Sequence, residues 1–237
     1  MEGAKPVRDL LQDHTTSIQM IVLSDRYRQR EAGPDRRLRE EKRVPFYICP
    51  DHTFASLSGL ETPEGVLAVI GQPQWNESEI FGRPEILGLY GERVQDPANV
   101  GAIIRTAAGL NVSALWLSQD SADVYNPKVV RASSGALLCL PIFEARDTDR
   151  FAQENCAIYA AVPSGQGSVH METIKNIPQR CILALGNESR GLSEQTVQQA
   201  ACRFTIPLVR HVESLNVAAT AAIALYHLGR LPKQWQG

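Results

Sequence analysis

Arg105 lies in the stretch Asp96-Pro97-Ala98-Asn99-Val100-Gly101-Ala102-Ile103-Ile104-Arg105-Thr106-Ala107-Ala108-Gly109, an otherwise apolar helical pattern. A guanidinium in that setting serves either as an ordinary salt-bridge partner or as a planar fork that a rigid element holds against a ligand phosphate. Asn99 reads as the N-cap, Val100, Ile103, Ile104 and Ala107 as the buried stripe, and Gly109 as the stop. A second stretch, Leu183-Ala184-Leu185-Gly186-Asn187-Glu188-Ser189-Arg190-Gly191-Leu192-Ser193, runs from an apolar strand into a glycine-bracketed polar loop, with Ser193 capping the next helix. Turn chemistry asks for Gly, Asn or Asp after a strand, so the carboxylate of Glu188 stands out as a functional candidate. In the third stretch, Ser214-Leu215-Asn216-Val217-Ala218-Ala219-Thr220 follows the apolar Ile206-Pro207-Leu208. Ser214 reads as the N-cap of a small-residue helix reaching about Leu228, and Asn216 presents a carboxamide from its first turn.

These loops need strands to carry them. After residue 84, β-type runs at 86–90, 114–118, 137–143, 157–162, 182–185 and 204–208 alternate with helical patterns. Strands spaced by helices predict an α/β fold with a mainly parallel sheet covered on both faces. Ligands of such sheets bind beyond the carboxyl ends of the strands, where the three stretches fall. Before residue 72, shorter β-type runs at 18–23, 44–48 and 66–70 predict a second, small α/β domain with the same layout. Residues 71–84 are rich in turn formers and show no periodicity, which predicts domains at 1–72 and 84–237 joined by a linker at 73–83.

Composition removes several classes. The chain of 237 residues has no apolar run of about 18, which excludes a transmembrane helix. Its start lacks a secretory h-region, and five widely spaced cysteines without a C-x-x-C pair suit a reduced, cytoplasmic setting and no metal site. No G-x-G-x-x-G turn or Walker A sequence occurs, which counts against a Rossmann dehydrogenase and a P-loop NTPase. The net charge of −2 hides an uneven distribution: residues 1–50 hold ten Lys/Arg against eight Asp/Glu, and eight of those ten lie between Arg26 and Arg43. Arg26, Arg28, Arg30, Arg36, Arg37 and Arg39 form either a solvated face laced with acids or an electrostatic footprint for RNA phosphates.

In their order and spacing the three stretches resemble the signature motifs of the SpoU/TrmH branch of the SPOUT RNA methyltransferases. The resemblance spans residues 84–237, with Tyr125-Asn126-Pro127-Lys128-Val129-Val130-Arg131-Ala132-Ser133-Ser134-Gly135-Ala136 also similar. Residues 1–72 resemble more loosely the small RNA-binding domain of that family, through Glu2-Gly3-Ala4-Lys5-Pro6-Val7-Arg8 and Thr62-Pro63-Glu64-Gly65-Val66. Pro63-Glu64 departs from the Gln that relatives often place before the glycine.

The resemblance implies an S-adenosyl-L-methionine-dependent RNA 2′-O-ribose methyltransferase, a C-terminal trefoil knot, and a homodimer through the catalytic domain. It implies a donor pocket at Gly186, Ile206, Leu215 and Asn216, and a catalytic group of Arg105, Asn99, Glu188, Ser214 and Asn216. Because guanidinium stays protonated, Arg105 is expected to hold phosphate and stabilise the developing alkoxide while Glu188 or solvent takes the proton. The two-domain layout favours ribosomal RNA of the large subunit over tRNA. The alternatives are a tRNA 2′-O-ribose methyltransferase and a non-catalytic RNA-binding protein on the same fold.

Overall fold

The computed structural model describes residues 1–12, 17–30, 36, 40, 44–165, 167–209, 212 and 214–234. The chain divides into two compact units, residues 1–74 and residues 75 onward. In the first unit, β1 (Ile18–Ser24) is the central strand, parallel to β2 (Phe46–Cys49) on one side and antiparallel to β3 (Val66–Ile70) on the other. The small sheet is therefore mixed rather than mainly parallel. Helix α1 (Ala4–Gln12) buries Val7, Leu10 and Leu11, and α3 (Asp51–Leu57) buries Phe54. Between them in sequence, α2 (Asp25–Arg30) buries none of its residues. A helix that covers no core keeps its charged side chains in water.

The second unit holds a seven-stranded sheet in which every neighbouring pair is parallel. Its strands are β4 (Ile86–Gly91), β5 (Ala114–Ser118), β6 (Ile142–Ala145), β7 (Ala157–Ala161), β8 (Val169–His170), β10 (Arg180–Leu185) and β11 (Cys202–Thr205), in the order β6-β5-β4-β10-β7-β11-β8. A separate two-stranded pair joins β9 (Ile177–Pro178) to β12 (Lys233–Gln234). Burial on both faces explains the near-continuous apolar strands. Leu87, Leu89, Leu183 and Leu185 face one core with Val100, Ile103, Ile104, Ala221 and Leu225, while Ile86, Tyr90, Ile182 and Ala184 face the other with Trp116, Phe81 and Phe151. The chain lays down β4, β5 and β6 outward, crosses to β7, and returns to insert β10 between β4 and β7. That return creates a switch point where the ends of β4 and β10 adjoin, Gly91 beside Leu185.

Three expected elements differ. Within the expected linker, Glu77–Phe81 forms a short helix, α4, that belongs to the second unit and buries Ile80 and Phe81. Five residues are too few to show a helical period, and the Asn76 cap that starts it resembles turn chemistry in sequence. The apolar run at 137–143 is a 3₁₀ turn, Ala136–Leu138, followed by a later strand, because Gly135 at φ +88° reverses the chain first. The run at 204–208 is strand only to Thr205.

Among the described residues no helix is long and apolar enough to cross a membrane. All five cysteines are free thiols, and burial pushes those of Cys156, Cys181 and Cys202 up, which keeps them protonated.

Candidate active site

The helix after β4, α5, spans Pro97–Gly109, and its N-cap is Asp96, whose side chain accepts from the Ala98 amide. Asn99 is therefore not the cap expected from sequence but lies inside the first turn, 8% exposed. Pro97 explains the difference, since proline favours the first helical position and so makes the residue before it the cap. After α7 (Asp149–Gln153) and α8 (Glu194–Gln199), the last long helix, α9, spans Val217–Leu228, and its N-cap is Asn216 rather than Ser214. Asn216 Oδ1 accepts from the Ala218 and Ala219 amides, which leaves its Nδ2 pointing away from the helix as a donor.

These two cap positions are what bring the candidate site together. Asn99 Nδ2 donates to Glu188 Oε1 at 2.6 Å, Asn216 Nδ2 donates to Asn99 Oδ1 at 2.9 Å, and Asn216 Nδ2 also reaches Glu188 Oε1 at 3.0 Å. The three residues form a closed cycle from three distant parts of the chain. The cap on Asn216 fixes its amide orientation, and the cycle then fixes that of Asn99. Glu188 Oε1 thus receives two donors, while Oε2 accepts from no described residue and Glu188 itself is exposed.

The Glu188 loop is preorganised by its own backbone. Asn187 Oδ1 accepts from the amides of Ser189 and Arg190, and the Gly191 amide donates to the Asn187 carbonyl at 2.8 Å. Gly191 adopts φ +66°. Gly186 lies so close to this turn that an added Cβ would overlap the Gly191 carbonyl carbon and the Leu192 nitrogen, so glycine is required there by packing. Ile206 and Leu215 are half-buried, and Ile206 packs on the edge of the core that holds α5 and α9. Ser214 is exposed and makes no hydrogen bond to the Asn99–Glu188–Asn216 cycle.

Arg105 is not part of that cycle. Six residues beyond Asn99 on the same helix, it emerges on another face, exposed, with Nη1 donating to Ser134 Oγ at 3.3 Å. It borders a depression of about 780 Å³ with Leu110, Met171, Glu172, Ile223 and Tyr226. Gly101 lets this face form: a Cβ there would overlap Ala132 Cβ, so α5 packs tightly on α6 (Pro127–Ala132), and the turn beyond α6 brings Ser134 to Arg105. Ser134 holds φ +50°. Sequence reasoning missed Ser134 as a partner of Arg105; its signal was the Ser-Ser-Gly run directly after a basic helix.

Of the expected RNA-binding arginines, Arg26, Arg28 and Arg30 are exposed on α2. Arg36 is exposed and paired with Glu40 at 2.9 Å. Arg37 and Arg39 lie outside the described residues.

A small α/β unit is followed by a second unit built on a parallel sheet, with a carboxylate and two carboxamides gathered at its switch point. The comparisons give that architecture its family. Residues 87–226 match the model of the SpoU rRNA Methylase family, and residues 1–75 match the model for RNA 2′-O ribose methyltransferase substrate binding. A putative RNA methyltransferase of the TrmH family from Porphyromonas gingivalis superposes with a TM-score of 0.75 at 32% identity, covering 96% of this chain and 87% of that one. The methyltransferase AviRb from Streptomyces viridochromogenes, solved in complex with AdoMet, shares the fold with a TM-score of 0.79 at 24% identity, over 96% of this chain and 87% of that one. The 23S rRNA (guanosine(2553)-2′-O)-methyltransferase of Bacillus subtilis is 29% identical over 204 residues, 81% of this chain and 78% of that protein. The chain belongs to the SpoU family of RNA 2′-O-ribose methyltransferases.

Proposed function

We propose that this protein methylates a ribose 2′-hydroxyl in large-subunit ribosomal RNA, with Glu188 as the proton acceptor and Arg105 as the phosphate-binding residue. The observation that carries the reading is the Asn99–Glu188–Asn216 cycle at the joined ends of β4 and β10. The methyl donor is S-adenosyl-L-methionine, which supplies when bound a methyl group already activated on a sulfonium centre. The residues present fit it: Ile206 and Leu215 offer half-buried apolar surface for an adenosine, the close-packed Gly186 turn offers backbone groups, and Glu188 offers negative charge for a cation.

What the chain must do is align a hydroxyl and manage one proton. The two carboxamides hold Glu188 through Oε1, which leaves Oε2 to accept the 2′-hydroxyl proton. Arg105 stays cationic and grips the neighbouring phosphate with its fork. Since Arg105 and the cycle lie on different faces of α5, we place Arg105 in the site of a second copy of the chain. The depression it borders is flanked by Ile223 at 40% and Tyr226 at 57% exposure, apolar surface suited to cover in a homodimer. The domain assignment that goes with this reading is RNA capture by the first unit and catalysis by the second, in the cytoplasm.

Incubation of the protein with total bacterial RNA and methyl-labelled S-adenosyl-L-methionine, followed by mapping of 2′-O-methyl positions, is expected to place the label at one site in large-subunit RNA. Label confined to tRNA would give the substrate to the alternative class, and saturable donor binding without label in any RNA would make the protein a non-catalytic binder. On the first unit, changing Arg26, Arg28 and Arg30 together to Glu is expected to weaken RNA binding and flatten its salt dependence, with each lost phosphate contact removing about one unit of slope. Unchanged binding across a salt series would show that α2 is only a solvated face.

A further inference from the structure

The strongest unexplained feature of the second unit is the pair that follows β4. Glu92 is 5% exposed, and a buried carboxylate needs partners. It has four. The Ser193 amide donates to both of its oxygens at 3.2 and 3.1 Å, Thr196 Oγ1 donates to Oε2 at 2.9 Å, and Arg93 Nη1 lies 3.2 Å from Oε1. Arg93 continues the chain of contacts: its Nη2 donates to the Gly191 carbonyl at 3.1 Å, and its own carbonyl accepts from Asn187 Nδ2 at 2.9 Å. Two residues at the end of one strand thus grip both shoulders of the loop at 186–192, together with the start of the helix Glu194–Gln199.

Arg93 holds this position against two local costs. It sits at φ +57°, a conformation that suits glycine or asparagine, and its Nε is buried without a hydrogen-bond partner among the described residues. The Ser118 hydroxyl accepts the Arg93 amide at 2.7 Å and so secures the unusual backbone from a third strand. A glycine would relieve both costs, so the side chain is what the site requires.

We propose that Glu92 and Arg93 form a latch that holds the loop at 186–192 in its donor-binding shape, making both of them positioning residues for S-adenosyl-L-methionine. The proposal rests on the assignment of that loop to the donor pocket. Neither residue touches the Asn99–Glu188–Asn216 cycle; the latch acts by fixing Asn187 and Gly191 on either side of Glu188.

Arg93→Gly tests it without imposing backbone strain. Calorimetric titration of the full chain with S-adenosyl-L-methionine is expected to show affinity weakened about tenfold or more, the scale of a loop displaced from its productive position. Hydrogen exchange is expected to quicken at Ser189, Arg190 and Gly191, with the sheet strands unchanged. A merely structural role predicts instead a rise throughout the second unit, and that result would overturn the latch. Gly186→Ala separates the latch from the pocket assignment, because it must deform the same loop. If Gly186→Ala loses donor binding while Arg93→Gly stays within about twofold of the parent, the latch is wrong and the pocket stands. If neither variant changes affinity, both are wrong. Should Arg93→Gly fail to fold, Arg93→Lys keeps a cation beside Glu92 but cannot also span to Gly191; unaltered donor affinity there would equally reject the proposal.

Discussion

Arg105→Ala is expected to slow single-turnover methyl transfer by about 10²–10³-fold, the range for removing one preorganised cationic donor from a site of developing negative charge. Thermal unfolding should be unchanged, because the side chain is exposed and its hydrogen bond to Ser134 at 3.3 Å is long. Donor affinity should also be unchanged, since Arg105 lies apart from the Glu188 loop. The effect then belongs to RNA and to the reacting oxygen. Arg105→Lys keeps the charge and loses the fork, so it should recover only part of the rate. A lysine variant with most of the parental rate would show that bidentate phosphate recognition is not what this position supplies. Mixing Arg105→Ala with Glu188→Gln subunits offers a further measurement: if Arg105 serves a partner's site, mixed dimers regain activity that neither variant has alone. No recovery on mixing would return Arg105 to its own subunit.

Glu188→Gln should have an effect of similar size, about 10²–10⁴-fold on the same single-turnover step, which is the usual contribution of a positioned general base. The substitution is close to isosteric. A glutamine carbonyl oxygen can still accept from Asn99 and Asn216, so the loop keeps its shape while the negative charge and the proton acceptor disappear. A normal turnover rate for Glu188→Gln would remove this residue from the proton path and leave solvent as the acceptor. Unfolding temperature is the control, and it should not move.

Much of the candidate site is legible because strand-end loops announce themselves by composition. Glu188 stood out as a carboxylate where a turn asks for Gly, Asn or Asp, and Asn216 as a carboxamide with spare hydrogen-bonding capacity. The caps differ from the sequence expectation for a definite reason. Asp96 and Asn99, or Ser214 and Asn216, are all good capping residues within three positions of one another, and local propensity scarcely separates them. Pro97 was the available signal for the first pair; nothing local decided the second. The short helix at Glu77–Phe81 went unread because five residues carry no period, and its stability comes from burying Ile80 and Phe81 against the sheet. The mixed sheet of the first unit was also beyond the pattern, since alternation of strands and helices does not fix the direction of the third strand.

The sequence by itself determined the class of fold and the apolar strands buried on both faces. Periodicity and turn chemistry act over a few residues, and those properties are local. Only the tertiary structure decided which distant residues meet. Returning the chain to place β10 between β4 and β7 brings Glu188 to Asn99, 89 positions away in sequence, and packing α9 on α5 brings Asn216 to both. Helical period alone turns Arg105, six residues beyond Asn99, to another face, whereas strand order is what leaves Arg93 gripping a loop nearly a hundred residues distant. Contacts of that span depend on how strands are ordered in the sheet, and no window of neighbouring residues encodes that order.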